Sequence, residues 1–298
     1  MMISRRSFLA APAIALPSMG AGKGYSPIFA GQAYVFQQHY GRLKEPIENH
    51  FDEIFQTFRI AGYEYLELTN VFFAPEYTER TAGLLKRHKL KLPIVYNGGV
   101  MHTEEGAERT IADTLALARR VKKATGTLDW VDVNPNPLPK GAAKSDAELA
   151  IQAKTLNRLS TELSREKLGL MVHQHAPEMA DNAREWRHMV ANTDPKLVKI
   201  CLDVHWVLRG GQDVMTLLRE AAPRLAALHL RNSKDGIWLE EFAPGDIDYK
   251  QVAAYLKDFG FKGYMVVELA WDPKTDLTAS LESNIRRSLN YAEAVFKK

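Results

Sequence analysis

The sequence predicts a single α/β domain, a (β/α)8 (TIM) barrel. Three observations carry that reading. Apolar runs alternate eight times with amphipathic stretches. The alternation occupies roughly 250–270 residues, the size of one closed eight-stranded barrel. No Pro-, Gly- or Ser-rich linker divides it. An open doubly wound sheet is the alternative, but its Gly-rich phosphate-binding fingerprint is absent.

The strands are expected over 28–36, 65–69, 92–96, 130–134, 169–175, 198–204, 225–231 and 264–269. Helical patterns fall between them at 47–61, 79–88, 104–124, 146–166, 184–191, 214–222 and 249–259, and a last helix over 277–296 closes the chain. Side chains alternate between the two faces of a strand, so the apolar set marks the helix-facing side. In "YLELT", Leu66 and Leu68 face out and Glu67 faces in. In "WVDVNPNP", Val131 and Val133 leave Asp132 and Asn134 inside. "GLMVHQH" turns His173 and His175 inward. "ICLDVHW" does the same for Cys201, Asp203 and His205, "LAALHLR" for His229 and Arg231, and "YMVVEL" for Glu268.

One inward histidine or strand-end carboxylate means little, since most are hydrogen-bonded core groups. Here consecutive strands deliver ionisable groups to the C-terminal end of one barrel, where such folds keep their sites. That much buried charge is costly unless a cation or ligand compensates it. Mixed imidazole and carboxylate donors suit one divalent ion such as Mn, Zn, Co, Ni or Fe rather than Ca. With Mg also allowed, the identity stays open. Such an ion would polarise a carbonyl or hydroxyl while a neighbouring base takes the proton α to it.

Composition narrows the classes further. The 298 residues are 46% hydrophobic and 25% charged with a formal charge of +3, so neither nucleic acid nor a membrane surface is demanded. Cys201 is the single cysteine, which excludes an intramolecular disulfide and directs any metal to His, Asp or Glu. "SRRSFLAAPAIALP" places Arg5 and Arg6 before a short Ala-rich stretch. This is the pattern of a Tat export signal and too short to span a bilayer. The expectation is a leader over 1–25, the barrel over 26–298, Tat export machinery as a partner and a periplasmic location. No stable membrane insertion is expected, and a homo-oligomer is allowed.

"GYEYLEL", "VHQHAPEM", "CLDVHW", "LHLRNSKDG", "PGDIDY" and "GYMVVEL", in this order, resemble the xylose isomerase-like superfamily of sugar phosphate isomerases and epimerases. That superfamily also includes inosose dehydratases and endonuclease IV. The resemblance covers essentially all of the barrel. It implies one divalent metal held by a residue from each of strands five to eight, here His173, Asp203, His229 and Glu268, with Glu178 a further candidate. His173 stands where relatives carry Glu, in the variant His173-Gln174-His175-Ala176-Pro177-Glu178, and Ala243 replaces the first glycine of a Gly-x-Gly-Asp-Ile-Asp turn. Catalysis would fall to Glu268, His173 and His175. Glu67, Asn134, Asn136, His205, Trp206 and Arg231 would contact the substrate.

The implied activity is a metal-dependent isomerase or epimerase acting on a sugar or cyclitol. With His173 in place of one of two symmetric glutamates, a lyase or dehydratase acting on a keto-sugar or inosose is the alternative. An endonuclease IV-like phosphodiesterase lacks its basic rim here. A non-catalytic sugar-binding barrel sits poorly with the retained Asp203, His229 and Glu268.

Overall fold

The computed structural model describes residues 24–297, and eight parallel strands close into one barrel. They are β1 (Ile28–Gln32), β2 (Tyr65–Thr69), β3 (Lys91–Gly99), β4 (Trp130–Pro135), β5 (Gly169–Val172), β6 (Val198–Asp203), β7 (Leu225–Leu230) and β8 (Tyr264–Glu268). Each pairs with its sequence neighbours, and β1 pairs with β8 to close the ring. Residues 1–23 of the leader expected over 1–25 lie outside the described residues. Among the described residues, no helix is long and apolar enough to cross a membrane.

The helices are α1 (Tyr34–Leu43), α2 (Phe51–Ala61), α3 (Thr78–Arg87), α4 (Glu104–Thr125), α5 (Asp146–Arg165), α6 (Ala176–Asn192), α7 (Val204–Arg209), α8 (Val214–Ala221), α9 (Tyr249–Phe259) and α10 (Leu281–Phe296). Every residue expected on the outer face, from Leu66 and Leu68 to Val267 and Leu269, packs in the main core between strands and helices. A second, smaller cluster of Ala30, Ile94, Met171, Cys201, Ala227 and Val266 fills the barrel interior. The polar groups of the strand ends rest on this apolar floor.

Several boundaries differ from the sequence expectation: β3 runs on to Gly99, the helix expected from 47 becomes α-helical only at Phe51, and the last helix begins at Leu281. The first strand stops at Gln32, and the rest of the run expected to be strand, "YVF", begins α1, which buries Val35, Phe36 and Tyr40 on one face. Aromatic and β-branched residues favour strands, so this helix did not announce itself. β6 ends at Asp203, whose carboxylate caps α7 by accepting from the backbone N–H of Trp206 at 2.8 Å. β5 ends at Val172, so His173 and His175 sit in the turn into α6. That helix starts well before residue 184, but Asp181, Asn182 and Ala183 have positive φ, and only the part beyond this break carries the expected pattern.

Candidate functional site

Strand register determines which side chains meet. Asp203 lies beside His229, and Gln32 lies beside both Glu67 and Glu268. Glu67, Asp132, His173, Asp203, His229, Arg231 and Glu268 converge above the apolar floor, none more than 8% exposed. His229 is central. Its Nδ1 is 3.0 Å from a Glu268 oxygen, and its Nε2 is 3.1 Å from Glu67 and 3.7 Å from Asp132. Arg231 bridges the outer carboxylates, donating to Asp203 at 2.7 Å and to Glu268 at 3.0 Å. Its Nε donates to Nδ1 of His205 at 3.1 Å, and its guanidinium lies 4.9 Å from the Trp206 ring centre and 4.8 Å from that of Trp238.

These surroundings separate the protonation states. Burial raises Glu268, but Arg231 and His229 overcome it and hold the carboxyl down at about 2. At Asp203 burial wins over Arg231, and the carboxyl is pushed up to about 6. Burial also drives His175 down to about 4, His205 to about 3 and His173 well below its usual value, so all three are neutral imidazoles. His229 behaves oppositely: burial opposes its charge, but Cys201, Glu67 and Glu268 hold its pKa well above normal. Asp132 is raised well above the usual carboxylate range by burial and by Glu67.

Above the cluster opens a cavity of about 270 Å³, lined by Tyr34, Tyr96, His173, His175, Trp206, Arg231, Trp238, Glu268 and Trp271 among others. Of the residues singled out from sequence, His173, His175, Trp206, Arg231 and Glu268 line it. Asp203, Glu67 and His229 lie beneath. His205 stands behind Arg231. Asn134 donates to the His173 carbonyl at 3.1 Å and so positions the backbone, whereas Asn136 is exposed outside the cavity. Glu178 turns back to accept from the His175 N–H at 2.8 Å at the start of α6 and does not join the converging donors. Tyr34, Tyr96, Trp238 and Trp271 line the cavity without having been singled out. Period-two alternation on β3 could have found Tyr96; Tyr34 lies in a run that reads as strand but folds as the start of α1, and Trp238 and Trp271 lie on segments with no strand pattern.

The "PGDIDY" segment holds the loop after β7. Asn232 pins it by donating to the Ala243 and Ile247 carbonyls. Asp246 accepts from Ser233 Oγ at 2.7 Å and from the backbone N–H groups of Asp235 and Gly236. These bonds fix a short hairpin of Ser233–Lys234 and Ile237–Trp238, which delivers Trp238 to the cavity. Gly245 is required there, because a Cβ would lie 2.0 Å from the Ser233 carbonyl oxygen. Ala243, at the position of the first motif glycine, meets no comparable demand.

The donors fit a divalent ion. Asp203, His229 and Glu268 each offer a ligand atom within 4.8 Å of the others, as do Asp132, His173, Cys201 and His229. Both Asp132 oxygens, Glu67 Oε1 and His173 Nδ1 are buried without a hydrogen-bond partner. Four buried carboxyl groups share two cationic partners, Arg231 and His229, so a cation would relieve the crowding of negative charge.

A sequence profile of the xylose isomerase-like TIM barrel family matches residues 55–294. The chain belongs to this family. The inosose dehydratase of Salmonella agona (strain SL483) is 30% identical over 151 residues, 44% of this chain and 49% of that enzyme. The chain thus spans about half the length of that relative. The inosose dehydratase of Lactiplantibacillus plantarum is 24% identical over 250 residues, 76% of this chain and 83% of that enzyme. Among solved structures, D-allulose 3-epimerase from Methylomonas sp., in complex with D-allulose, superposes with a TM-score of 0.69 at 14% identity, over 93% of this chain and 99% of that one. At that identity the likeness concerns the fold alone.

Proposed function

We propose that the chain is an enzyme that removes the proton α to the carbonyl of a keto-sugar or keto-cyclitol and then eliminates water. The observation that carries this reading is that Glu268 is the one carboxylate among the described residues lining the cavity, which it shares with the neutral imidazoles of His173 and His175. Epimerisation by two acid–base groups needs one on each face of the substrate ring, whereas a single carboxylate suffices for elimination on one face. On this reading the lyase comes ahead of the epimerase that the sequence favoured. The inosose dehydratases among the relatives support the same order.

The Glu268 carboxylate takes the proton from the α carbon, and the C–H electron pair moves toward the carbonyl oxygen. A neutral His175 N–H donates a hydrogen bond to that oxygen as charge grows there, as an uncharged imidazole can. The C–O bond at the β carbon then breaks, and the Glu268 carboxylic acid returns its proton to the departing hydroxide. An enone and water result, and Glu268 ends ionised as it began. A divalent ion bound in the cluster would add Lewis-acid polarisation of the carbonyl. Trp206, Trp238 and Trp271 present flat apolar walls to the C–H faces of a sugar ring. Arg231 lines the cavity but is committed to two carboxylates. Among the described residues no other Lys or Arg lines it to take a phosphate, which favours an unphosphorylated substrate.

The test is incubation of metal-supplemented protein with a panel of 3-keto-sugars and inososes in D2O. Deuterium at the α carbon of recovered substrate, together with appearance of an enone, is expected. Deuterium with an inverted centre and no enone transfers the assignment to epimerase, and no exchange with any member of the panel refutes the reading.

A further inference from the structure

We propose that Gln174 is a positioning residue that holds the His173–His175 turn against Asp203, so that the imidazoles and the carboxylate keep one mutual geometry. The proposal rests on the reading that this cavity removes a proton from a keto-sugar or keto-cyclitol with a divalent ion beside it. Gln174 is the residue between the two histidines and had no part in the site expected from sequence.

Strand pairing stops short of the site on this side of the barrel. The β5–β6 ladder ends at Val172, near Ile200, whereas β6 continues along β7 as far as Asp203 beside His229. Asp203 therefore stands beyond the last residue that β5 pairs, and it is 0% exposed. A buried backbone N–H or C=O without a partner is costly. The Gln174 side chain supplies both partners. Its Nε2 donates to the Asp203 carbonyl at 2.8 Å, and its Oε1 accepts from the Asp203 N–H at 3.4 Å. The first bond is the firmer of the two. An amide carries a donor and an acceptor on one planar group, and Gln174 is itself 1% exposed. One side chain thus continues the sheet where the backbone has stopped.

This clamp joins two segments that carry the site. On the turn, His173 and His175 flank Gln174, and both line the cavity. On β6, Asp203 leads into Trp206, which lines the cavity as well. The segments meet again through side chains. The His175 and Trp206 ring centres are 5.1 Å apart, and His173 Nε2 is 4.0 Å from Asp203 Oδ2. Elsewhere the turn is tied to β4 and α6. His173 N–H donates to the Val133 carbonyl at 2.8 Å, Asn134 donates to the His173 carbonyl, and Glu178 accepts from the His175 N–H. Toward β6 the tie is the Gln174 amide. The Trp206 N–H and Arg231 aim the Asp203 carboxylate, but its distance from the two imidazoles is fixed by the backbones that Gln174 links.

Gln174→Met keeps the length of the side chain and removes both bonds, which frees the turn to move relative to β6. Misplacing a reacting group by about 1 Å can cost about 100-fold in rate. Loss of a partner behind a metal ligand lowers metal affinity or activity by about 10- to 100-fold. A residue that only satisfied buried backbone groups would lower stability and leave both quantities unchanged.

The experiment compares the full chain with Gln174→Met in two assays, each run well below the Tm of the variant. One is Mn(II) binding, followed by the electron paramagnetic resonance of the free ion; the other is α-deuterium exchange on the keto-sugar and inosose panel. Mn(II) affinity is expected to fall by about 10- to 100-fold at unchanged stoichiometry. The kcat of exchange should fall by about 10- to 100-fold, with KM within about threefold of the parent. Gln174→Asn retains both polar groups one methylene short, so it should fall between the parent and the Met variant, and it serves where the Met variant fails to fold. A variant that melts earlier yet keeps Mn(II) affinity and kcat within about threefold of the parent overturns the positioning role and leaves the proposed reaction standing. A parent that exchanges deuterium with no member of the panel overturns the reaction instead, and the Mn(II) assay then decides the role of Gln174 by itself.

Discussion

Replacing Arg231 with Met keeps much of the side-chain volume between Trp206 and Trp238 but removes the guanidinium. Asp203 and Glu268 would then be left as buried carboxylates with their principal counter-charge gone. Breaking a buried ion pair by deleting one partner costs about 3–5 kcal/mol. For domains of roughly 150–250 residues, each kcal/mol lowers Tm by about 2–4 °C. The expected loss is therefore about 6–20 °C, toward the lower figure for a chain of 298 residues. Scanning calorimetry in excess chelator measures it.

The double variant Arg231→Met/Glu268→Gln separates lost charge compensation from lost packing. If uncompensated charge is the cause, adding Glu268→Gln should recover part of the stability, with a coupling energy of about 1–3 kcal/mol. A Tm within about 2 °C of the parent corresponds to under about 1 kcal/mol. Such a result, or a coupling energy near zero, would refute the idea that Arg231 is the counter-ion of this site.

Acid should destabilise the chelated protein earlier than carboxylate titration alone would. His175 and His205, held down from 6.5 to about 4 and about 3, contribute stability that is complete above pH 6.5 and is lost as pH falls toward those values. Asp203, raised from 3.8 to about 6, works in the opposite sense: its contribution is complete below 3.8 and is lost as pH rises through 6. The two histidines outweigh the single aspartate, so Tm should drop steadily below pH 6.5; a profile flat to about 4.5 contradicts the assignment of neutral buried imidazoles. Glu268→Gln should lower α-deuterium exchange by about 100- to 10,000-fold, measured by NMR, and retention of exchange would remove Glu268 as the base. Asp246→Ala should release the hairpin that carries Trp238, raising KM with little change in kcat and altering the near-ultraviolet circular dichroism. An equal loss in kcat with unchanged KM would argue against a positioning role.

The strand faces were legible because a half-buried strand has a fixed period. Leu66, Val131, Leu170, Leu202, Leu228 and Val267 all reached the outer core, which sent Glu67, Asp132, His173, Asp203, His229 and Glu268 to one interior. What escaped depends on contacts between distant segments. Tyr34 opens a helix inside a run that reads as strand. Trp238 reaches the cavity only because Asp246 ties a hairpin. Cys201 read as an inward-facing residue with no part in a metal site, and it belongs to the interior apolar cluster. That it also faces Asp132 and two histidines follows from how β4, β5, β6 and β7 are staggered, which no local pattern records.

Arg231 shows most clearly what strand patterns omit. From sequence it is an inward cation at a strand end, suited to a substrate hydroxyl or carboxylate. In the barrel it answers two carboxylates from neighbouring strands, and that alters the chemistry of Glu268. A carboxyl held at about 2 is ionised at every working pH, yet it is a weak proton acceptor. On the proposed reading, Glu268 becomes a useful base only when Arg231 loosens its hold. The guanidinium is packed on Trp206 and Trp238, the same rings that wall the cavity. A sugar ring seated against those indoles would press on the group that restrains the base, so occupancy of the cavity and the strength of Glu268 are coupled through one side chain. Substrate binding would then raise the Glu268 pKa, and the acidic limb of the kcat profile should lie at higher pH than that of kcat/KM; coincident limbs would separate Arg231 from the control of the base.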